Sequence, residues 1–227
     1  MDKPASTWAL VPLKSPDRAK SRLAAVLSPA QRARLFLTLA ERVVRALLKT
    51  PGIDHVAVVT ASPALAALSR SLGALPLVQS ADAGMCSALD FGLRELRLPD
   101  TDRVLMIAGD LPLISPAALT AFLAQAPHEH GVALVPDRKR AGTNVLLCAP
   151  PHVIAPGFGE RSFERHLAAA TAADIEARVL PIEELALDLD EREDVDYLAA
   201  RDSVTAAELF EAGDPDVPQA RHRAVAG

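Results

Sequence analysis

Short apolar runs alternate with longer amphipathic segments along most of the chain. The apolar runs predict β-strands at residues 7–13, 55–60, 75–79, 103–108, 132–135, 144–148, 178–180 and 185–189. Between them, apolar side chains recur every three or four residues, which predicts helices that begin near Pro29, Pro63, Gly84, Pro116, Arg161 and Glu191. The first helix start, Ser28-Pro29-Ala30-Gln31, has the form of a capping box with proline at the first helical position.

Strands that are apolar at nearly every position, separated by amphipathic helices, indicate an α/β fold. We expect a mostly parallel central sheet that is covered by helices on both faces. Such folds bind ligands beyond the carboxyl ends of their strands, so residues that directly follow a strand are the first candidates for chemistry. We predict one domain over residues 1–203. Residues 204–227 contain Gly-Asp-Pro-Asp and Arg-His-Arg but no apolar period, which predicts a flexible tail.

The composition excludes several classes of partner. Hydrophobic residues make up 50% of the 227 residues, enough for a sizeable core, and the formal net charge is -5. A chain of net negative charge has no overall attraction to nucleic acid or to anionic membranes, so a bound anion needs a local cluster of positive charge. Neither Cys86 nor Cys148 belongs to a metal-binding pattern, and the sequence shows no signal peptide or membrane-spanning run. We therefore predict a cytoplasmic protein.

A basic loop directly follows the first predicted strand. It carries Lys14, Lys20 and Arg22 within the sequence Lys-Ser-Pro-Asp-Arg-Ala-Lys-Ser-Arg. Several cations on one loop suit a polyphosphate, whose charge must be neutralised before a nucleophile can approach. A solvated basic loop without a ligand explains the same composition. The loop lacks the GxxxxGK[ST] pattern, so the sequence does not support a Walker-type NTPase.

Two acidic segments are candidates for a metal site. Asp110 follows Gly109 at the tip of the most apolar strand, where its carboxylate could hold a metal ion or could simply form a turn. Asp188 and Asp190 alternate with leucines in a predicted strand, which places both carboxylates on one face, about 7 Å apart. Two like charges on one face favour a hard divalent cation such as Mg²⁺. Capping of the following helix explains Asp190 equally well, but not Asp188.

Glycine and hydroxyl residues form a third group of candidates. Gly142-Thr143-Asn144 starts a predicted strand, and Gly159 and Ser162 precede a predicted helix. Backbone N–H groups at such places can bind an anion, although ordinary turns and helix caps produce the same pattern. His166, on that helix, could approach a substrate, but a structural histidine is the simpler interpretation. Because no GxSxG or Cys/His pattern is present, the sequence does not indicate covalent catalysis.

Taken in order, these segments resemble the motifs of one known family. The motifs are Val-Pro-Leu-Lys14 with Ala-Lys20-Ser-Arg22-Leu, Gly109-Asp110-Leu-Pro, Val-Pro-Asp137-Arg with Gly142-Thr143-Asn144, Phe158-Gly159 with Ser162-Phe163 and His166, and Asp188-Leu-Asp190. The chain resembles the 2-phospho-L-lactate or phosphoenolpyruvate guanylyltransferases of coenzyme F-420 biosynthesis. The resemblance covers about residues 7–201.

The resemblance implies a single-domain GT-A-like nucleotidyltransferase fold, with GTP as the nucleotide donor and pyrophosphate as a product. The implied acceptor is a small phosphorylated acid, and the sequence leaves 2-phospho-L-lactate, phosphoenolpyruvate and 3-phospho-D-glycerate open. A homodimer is a family expectation. An acceptor phosphate is already ionised near neutral pH, because its second pKa is about 6, so the implied in-line attack on the α-phosphorus needs no general base. The alternatives are another GT-A-like nucleotidyltransferase, of molybdopterin or sugar-phosphate type, and a non-catalytic nucleotide-binding regulator.

The resemblance also assigns roles to individual residues. The implied magnesium ligands are Asp110, Asp188 and Asp190, and the implied catalytic residues are Lys14, Lys20, Arg22 and Asp110. The implied nucleotide contacts are Pro12, Lys14, Thr60, Gly84, Ser87 and Gly109. The implied acceptor contacts are Thr143, Asn144, Gly159 and Ser162. Many relatives have Gly-Leu-Asn where this chain has Gly84-Met85-Cys86, and a thiol hydrogen-bonds a base edge more weakly than an amide does.

Overall fold

A computed structural model describes residues 5–16 and 20–210 of the chain. Its centre is a seven-stranded sheet with the strand order β3-β2-β1-β4-β6-β5-β7. The strands are β1 Thr7–Leu13, β2 His55–Thr60, β3 Leu75–Val78, β4 Arg103–Ile107, β5 Gly131–Pro136, β6 Thr143–Ala149 and β7 Ala177–Val179. β6 runs antiparallel to both of its neighbours, β4 and β5, whereas the other described pairs are parallel. The predicted α/β fold with a mostly parallel, mixed sheet is confirmed.

Eight α-helices and one 3₁₀ turn surround the described sheet. The helices are α1 Pro29–Leu48, α2 Pro63–Leu72, α3 Met85–Leu96, α4 Pro116–Leu123, α5 Ser162–Ala172, α6 Glu183–Ala186, α7 Arg192–Arg201 and α8 Ser203–Phe210, and the 3₁₀ turn is Ser21–Ala25. The predicted capping box of α1 is present, because Ser28 Oγ accepts from Gln31 N and Gln31 Oε1 accepts from Ser28 N. None of these helices is long and apolar enough to cross a membrane.

The core consists of one apolar layer on each face of the sheet. α1, α2 and α4 cover one face with side chains such as Phe36, Leu65 and Phe122. α3 and α5 cover the other face, where Leu89 and Phe163 are buried. Both layers follow from strands that are apolar at nearly every position, as the sequence predicts. The sheet is therefore shielded on both faces, and its edges and strand ends are left for binding.

A third, smaller cluster, called here the small core, lies beside the first layer. It consists of Leu23 in the 3₁₀ turn, Leu35 and Leu39 of α1, Leu187, Leu189, Leu198 of α7, and Ala206 and Leu209 of α8. All of these side chains are buried. The small core joins the segment just after the basic loop to the segment that carries Asp188 and Asp190, and it thereby fixes their separation.

Two predicted elements are wrong. Residues 185–189 do not form a strand, because α6 ends at Ala186 and the chain that follows is extended without a strand partner. The predicted tail is also too long. Residues 203–210 form α8, which buries Leu209 in the small core. The carboxylate of Asp202, just before this helix, accepts from both Thr205 N and Thr205 Oγ1. The remaining predicted tail, residues 211–227, lies outside the described residues.

Candidate active site

Most of the residues that the sequence predicts for the site lie at one edge of the sheet. Parallel strands β1, β2 and β4 end at this edge, so Lys14 and the Gly109-Asp110 pair emerge there. Because β6 runs in the opposite direction, its first residues, Thr143 and Asn144, lie at the same edge, and the carbonyl oxygen of Asn144 accepts from Ala108 N. The antiparallel strand β6 thus contributes its first residues to a region to which the parallel strands contribute the residues that follow their last ones.

Lys20 links the basic loop to both acidic segments. Its Nζ donates to the carboxylate of Asp110 and, at 3.1 Å, to Oδ1 of Asp190. The Lys20 side chain is only 2% exposed, whereas those of Asp110 and Asp190 are 21% and 46% exposed. Lys20 also has a left-handed backbone, with φ of 55°, at the start of the 3₁₀ turn. Three segments that are far apart in sequence therefore meet at one buried ammonium group.

The charges of this cluster shift the pKa values of its members in opposite directions. Burial raises the pKa of Asp188 from 3.8 to about 7, and repulsion from Asp110 and Asp190 contributes to the rise. Asp190 is also desolvated, but Lys20, Arg22 and Lys14 together hold its pKa below the ordinary value. Burial opposes the charge of Lys20, yet its two carboxylate partners raise its pKa. The site holds more negative charge than one lysine neutralises.

Backbone and amide contacts hold the acidic segments together. Asn144 Nδ2 donates to the carbonyl oxygen of Leu185 at 3.1 Å and lies 3.5 Å from Asp188 Oδ1. Leu189 N donates to the carbonyl oxygen of Asp110 at 3.3 Å. The leucines at positions 187 and 189 are buried while the aspartates are partly exposed, so the predicted alternation is present although the strand is not.

The carboxylate of Asp190 is not used as a helix cap. Glu191 is the N-cap of α7, and its capping box is completed by Asp194, whose Oδ2 accepts from Glu191 N. Asp194 Oδ2 also accepts from Asp190 N at 3.1 Å, which involves only the backbone of Asp190. The alternative interpretation of Asp190 as the cap is therefore wrong, and its side chain is available to Lys20.

The remaining predicted cations lie at the rim of the site. Lys14 is exposed directly after β1. The Arg22 side chain is 69% exposed and pairs with Glu191 at 3.2 Å. Ser15 N donates to Asp82 Oδ2 at 3.0 Å, which ties the basic loop to the segment before α3. The sequence gives no signal for this contact, because Asp82 lies in an ordinary polar turn.

The predicted nucleotide contacts lie at the same edge but differ in exposure. Gly84, with φ of 92°, is the exposed N-cap of α3, and Ser87 is exposed in the first turn of that helix. Pro12 is half-buried in β1. Thr60 is fully buried, and its hydroxyl accepts from Ser62 N at the start of α2. The side chain of Thr60 is thus engaged in the turn after β2.

Gly109 permits a close approach between the ends of β4 and β1. A Cβ atom at this position would lie 2.3 Å from Leu13 Cδ2, well inside van der Waals contact. The turn that carries Asp110 therefore packs directly against the last residue before Lys14. A side chain at position 109 would collide with the Leu13 side chain unless that side chain moved.

The predicted acceptor residues surround a β-bulge. The β5–β6 register skips Asn144, since Val135 pairs with Val145 and Pro136 pairs with Thr143. Thr143 contacts His166 of α5, whereas Asn144 contacts Leu185 and Asp188, as expected for neighbouring residues of a strand that face opposite sides of the sheet. Two adjacent residues thus reach the two different layers that cover the sheet.

The backbone N–H groups that the sequence suggests for anion binding are largely occupied. Ser162 N donates to Gly159 O at 3.0 Å, and Phe163 N donates to Ala141 O at 3.3 Å. Gly142 N donates to Asp137 Oδ2 at 2.7 Å. At these positions, turn and cap bonds already use the donors. The hydroxyl groups of Thr143 and Ser162 are the donors that remain for an acceptor.

The loop that contains Gly159 is held by side chains of α3 and α5. Cys86 Sγ donates to the carbonyl oxygen of Phe158 at 3.1 Å, and Arg165 Nη2 donates to the same oxygen at 3.0 Å. Gly157 N donates to His166 Nε2 at 2.8 Å. Cys86 therefore links the start of α3 to this loop. The sequence does not predict this structural role, because many relatives have asparagine at this position.

A divalent cation fits the chemistry of the acidic cluster. Asp110, Asp188 and Asp190 offer oxygen ligands, which Mg²⁺ prefers, and their mutual repulsion is what a cation relieves. Nevertheless, within residues 5–16 and 20–210 no three His, Cys, Asp or Glu side chains are arranged to hold a metal ion directly. The Lys20 ammonium lies between Asp110 and Asp190, so the donor set suits a metal once this lysine turns away.

Comparison with known proteins finds a matching family model and similar relatives. The family model described as "Guanylyl transferase CofC like" matches residues 7–210. The chain is 40% identical over 199 residues to a phosphoenolpyruvate guanylyltransferase of Rubrobacter xylanophilus, which covers 88% of this chain and 96% of that protein. It is 37% identical over 194 residues to one of Conexibacter woesei, with 85% and 87% covered.

Solved structures support the fold. A nucleotidyl transferase from Methanothermobacter thermautotroptrophicus superposes with a TM-score of 0.66 at 20% identity, covering 92% of this chain and 99% of that one. A 4-diphosphocytidyl-2C-methyl-D-erythritol synthase superposes with a TM-score of 0.60 at 13% identity, covering 86% and 98%. At such low identity the likeness establishes the nucleotidyltransferase fold alone.

Proposed function

The chain belongs to the CofC-like guanylyltransferase family, and from this premise we propose that it uses Mg²⁺ and GTP to guanylylate phosphoenolpyruvate. Membership of the family gives the general activity: the chain is a guanylyltransferase of the phosphoenolpyruvate or phospholactate type, in coenzyme F-420 biosynthesis. Phosphoenolpyruvate is favoured among the acceptors because the relatives described above carry its name.

The observation that carries the proposal is the meeting of the basic loop with both acidic segments through Lys20. Its contacts to Asp110 and Asp190 put lysine and carboxylate groups within one small volume at the carboxyl ends of the strands. Transfer of a nucleotidyl group needs both kinds of charge, because cations must neutralise the phosphates and carboxylates must hold the metal. A site for binding alone would not need three partly buried carboxylates.

The proposed reaction is an in-line displacement at the α-phosphorus of GTP. A phosphate oxygen of the acceptor forms the new P–O bond, and the bond between the α-phosphorus and the bridging oxygen breaks, so that pyrophosphate leaves with the bonding electrons. The attacking phosphate is ionised near neutral pH, since its second pKa is about 6. The chain therefore needs no general base, and its contribution is positioning and charge neutralisation.

The residues divide between these two tasks. Lys14 and Arg22, exposed at the rim, neutralise the β- and γ-phosphates as pyrophosphate departs. Lys20, which contacts Asp110 and Asp190, would turn to a phosphate oxygen of the bound nucleotide. Asp110, Asp188 and Asp190 would hold Mg²⁺, which supplies additional neutralisation of phosphate charge.

We assign the other predicted residues to the two substrates. The nucleotide would lie along the ends of β1 and β4 and the start of α3, against Pro12, Gly84, Ser87 and Gly109, with Thr60 contributing through its backbone. The acceptor would lie at the bulge and the start of α5, against Thr143, Asn144, Gly159 and Ser162. In this division the two substrates lie side by side along the carboxyl ends of the strands, with Lys20 and its carboxylate partners between them.

Pyrophosphate release tests the proposal. The protein is mixed with GTP, Mg²⁺ and, separately, phosphoenolpyruvate, 2-phospho-L-lactate or 3-phospho-D-glycerate, and product masses identify the guanylylated acid. We expect the fastest release with phosphoenolpyruvate and little release without an acceptor. Preference for another of the three acids would refute the acceptor assignment. Tight GTP binding without acceptor-dependent release would instead indicate a non-catalytic regulator.

The Ser162→Ala variant tests the division of the site. We expect its KM for phosphoenolpyruvate to rise about tenfold, as for one lost hydrogen bond to a charged group, while its KM for GTP stays unchanged. Ser71→Ala, at an exposed serine that bonds only within α2, is the matched control. An equal rise in both KM values would contradict the assignment of Ser162 to the acceptor.

A further inference from the structure

His166 is a buried polar residue that the mechanism above does not use. It is fully buried on α5, and its ring meets Phe158 edge-on with a centroid distance of 5.0 Å. Both ring nitrogens have partners. Nε2 lies 2.8 Å from Gly157 N, and Nδ1 lies 3.0 Å from Thr143 Oγ1. The ring therefore connects the loop before α5 to the first residue of β6.

These two contacts determine where the imidazole carries its proton. A backbone N–H can only donate, so Nε2 must accept from Gly157 and cannot bear a hydrogen. Burial, aided by repulsion from Arg165, lowers the pKa of His166 to about 4, so the ring is neutral at physiological pH. A neutral imidazole carries one hydrogen, which is then on Nδ1. His166 consequently donates to Thr143 Oγ1.

The donor role of His166 fixes the role of the Thr143 hydroxyl. A hydroxyl that accepts from one neighbour still has its own hydrogen to donate. In the part of the chain that the structure describes, His166 is the hydrogen-bond partner of Thr143 Oγ1, so this hydrogen is left for a ligand. The backbone of Thr143 adjoins Asn144, whose side chain contacts Leu185 and Asp188 on the other face of the sheet.

We propose that His166 is a positioning residue, which holds the Thr143 hydroxyl so that its hydrogen is directed toward an anionic oxygen of the acceptor. The proposal rests on the proposed function, because it requires the acceptor to lie at Thr143. A hydroxyl that already accepts from His166 and still has its own hydrogen to donate is best matched by a carboxylate or phosphate oxygen, which can only accept. His166 thereby contributes to selection of an acidic acceptor without touching it.

Two substitutions separate this role from simple packing. In His166→Asn the side-chain amide can occupy the position of Nδ1 and donate to Thr143, but it cannot reach Gly157. In His166→Gln the amide can occupy the position of Nε2 and accept from Gly157, but the donor to Thr143 is lost. A residue needed only for packing would be disturbed by both changes, and its loss would affect both substrates.

We expect His166→Gln to raise the KM for phosphoenolpyruvate about tenfold while the KM for GTP stays unchanged. His166→Asn should restore most of the loss. In a Thr143→Val background, His166→Gln should have little further effect, because the hydroxyl that it orients is gone. Equal effects of the Asn and Gln variants, or additive effects with Thr143→Val, would overturn the proposal.

Nitrogen NMR of the ¹⁵N-histidine-labelled wild-type protein provides a test that does not depend on folded variants. The His166 signals should show hydrogen on Nδ1 and an unprotonated Nε2 between about pH 6 and 8. Hydrogen on Nε2 would overturn the proposal. Wild-type turnover with unchanged acceptor KM in His166→Gln rejects only the role of His166, whereas absence of acceptor-dependent turnover in the wild type rejects the proposed function.

Discussion

Asp188→Asn should stabilise the folded protein while it removes the activity. The Asp188 carboxyl has a pKa of about 7 in the folded chain and 3.8 as its ordinary value. A carboxyl whose pKa is raised by folding destabilises the folded state once it ionises. This cost is absent below pH 3.8, grows as the pH rises, and is complete above about pH 7. Asparagine never ionises, so the variant escapes the cost.

The rise in pKa sets the size of the effect. At 1.36 kcal/mol for each pH unit, a rise from 3.8 to about 7 corresponds to about 4 kcal/mol at high pH. Asp188 is only partly buried, and solvent screens part of the repulsion. We therefore expect a gain in the free energy of unfolding of about 2 to 4 kcal/mol at pH 8 and a clearly smaller gain at pH 5.

Urea unfolding in the presence of a chelator measures this gain without competition from metal ions. The control is Asp100→Asn, an exposed residue in the turn before β4, which should change the free energy of unfolding by less than about 0.5 kcal/mol. In parallel, Asp188→Asn should abolish acceptor-dependent pyrophosphate release. A variant that is no more stable at pH 8 than the wild type, or equally stabilised at both pH values, would refute the explanation that burial and repulsion destabilise the ionised Asp188 carboxylate.

Three further predictions concern other parts of the molecule. Lys20→Gln should bind Mn²⁺ more tightly than the wild type in the absence of nucleotide, because the ammonium no longer competes for the carboxylates. A paramagnetic titration measures the Mn²⁺ affinity, and Lys14→Gln is the control. An unchanged affinity of Lys20→Gln would contradict the prediction. Truncation after Asp202 should lower Tm and turnover together, because it removes α8 from the small core, whereas truncation after Phe210 should preserve turnover. Gly92→Ala should lower the free energy of unfolding by about 1 to 3 kcal/mol, because its Cβ would lie 2.8 and 2.9 Å from side chains of β2 and β1. Thermal unfolding measures the loss, and an unchanged Tm would show that these side chains move aside without cost.

Most elements of the fold could be predicted because local and tertiary signals agree. The strands at β1, β2 and β4 are apolar at nearly every position, and the serine-proline starts of α1, α2 and α4 are present as predicted. The strand prediction for residues 185–189 is wrong because this segment does not pair with another strand. Its leucines at positions 187 and 189 are buried in the small core instead. Alternation indicates which side chains are buried, but not what buries them.

The sequence indicates candidate residues for the site but not the contacts between them. Lys20 and Asp110 are candidates because they follow strands, and Asp190 is a candidate because it alternates with leucines; the structure brings the three together. Their direct pairing depends on tertiary packing that leaves the Lys20 side chain almost no solvent exposure, which no local pattern reports. The bulge at Asn144 was equally hidden, because it arises from a register mismatch between two strands. Sequence patterns identify donors and acceptors, whereas packing decides which of them are already satisfied.

The small core couples the two halves of the charged centre dynamically. Leu23 follows Lys20 closely in the chain, and Leu187 and Leu189 flank Asp188, yet all three side chains share one modest apolar cluster. Opening of that cluster would release the cationic and the anionic segments in the same event, without disturbing the sheet. Amide hydrogens around residues 23 and 189 should consequently exchange with similar opening free energies, lower than those of β1 and β4, and a ligand that bridges both segments should slow both rates together.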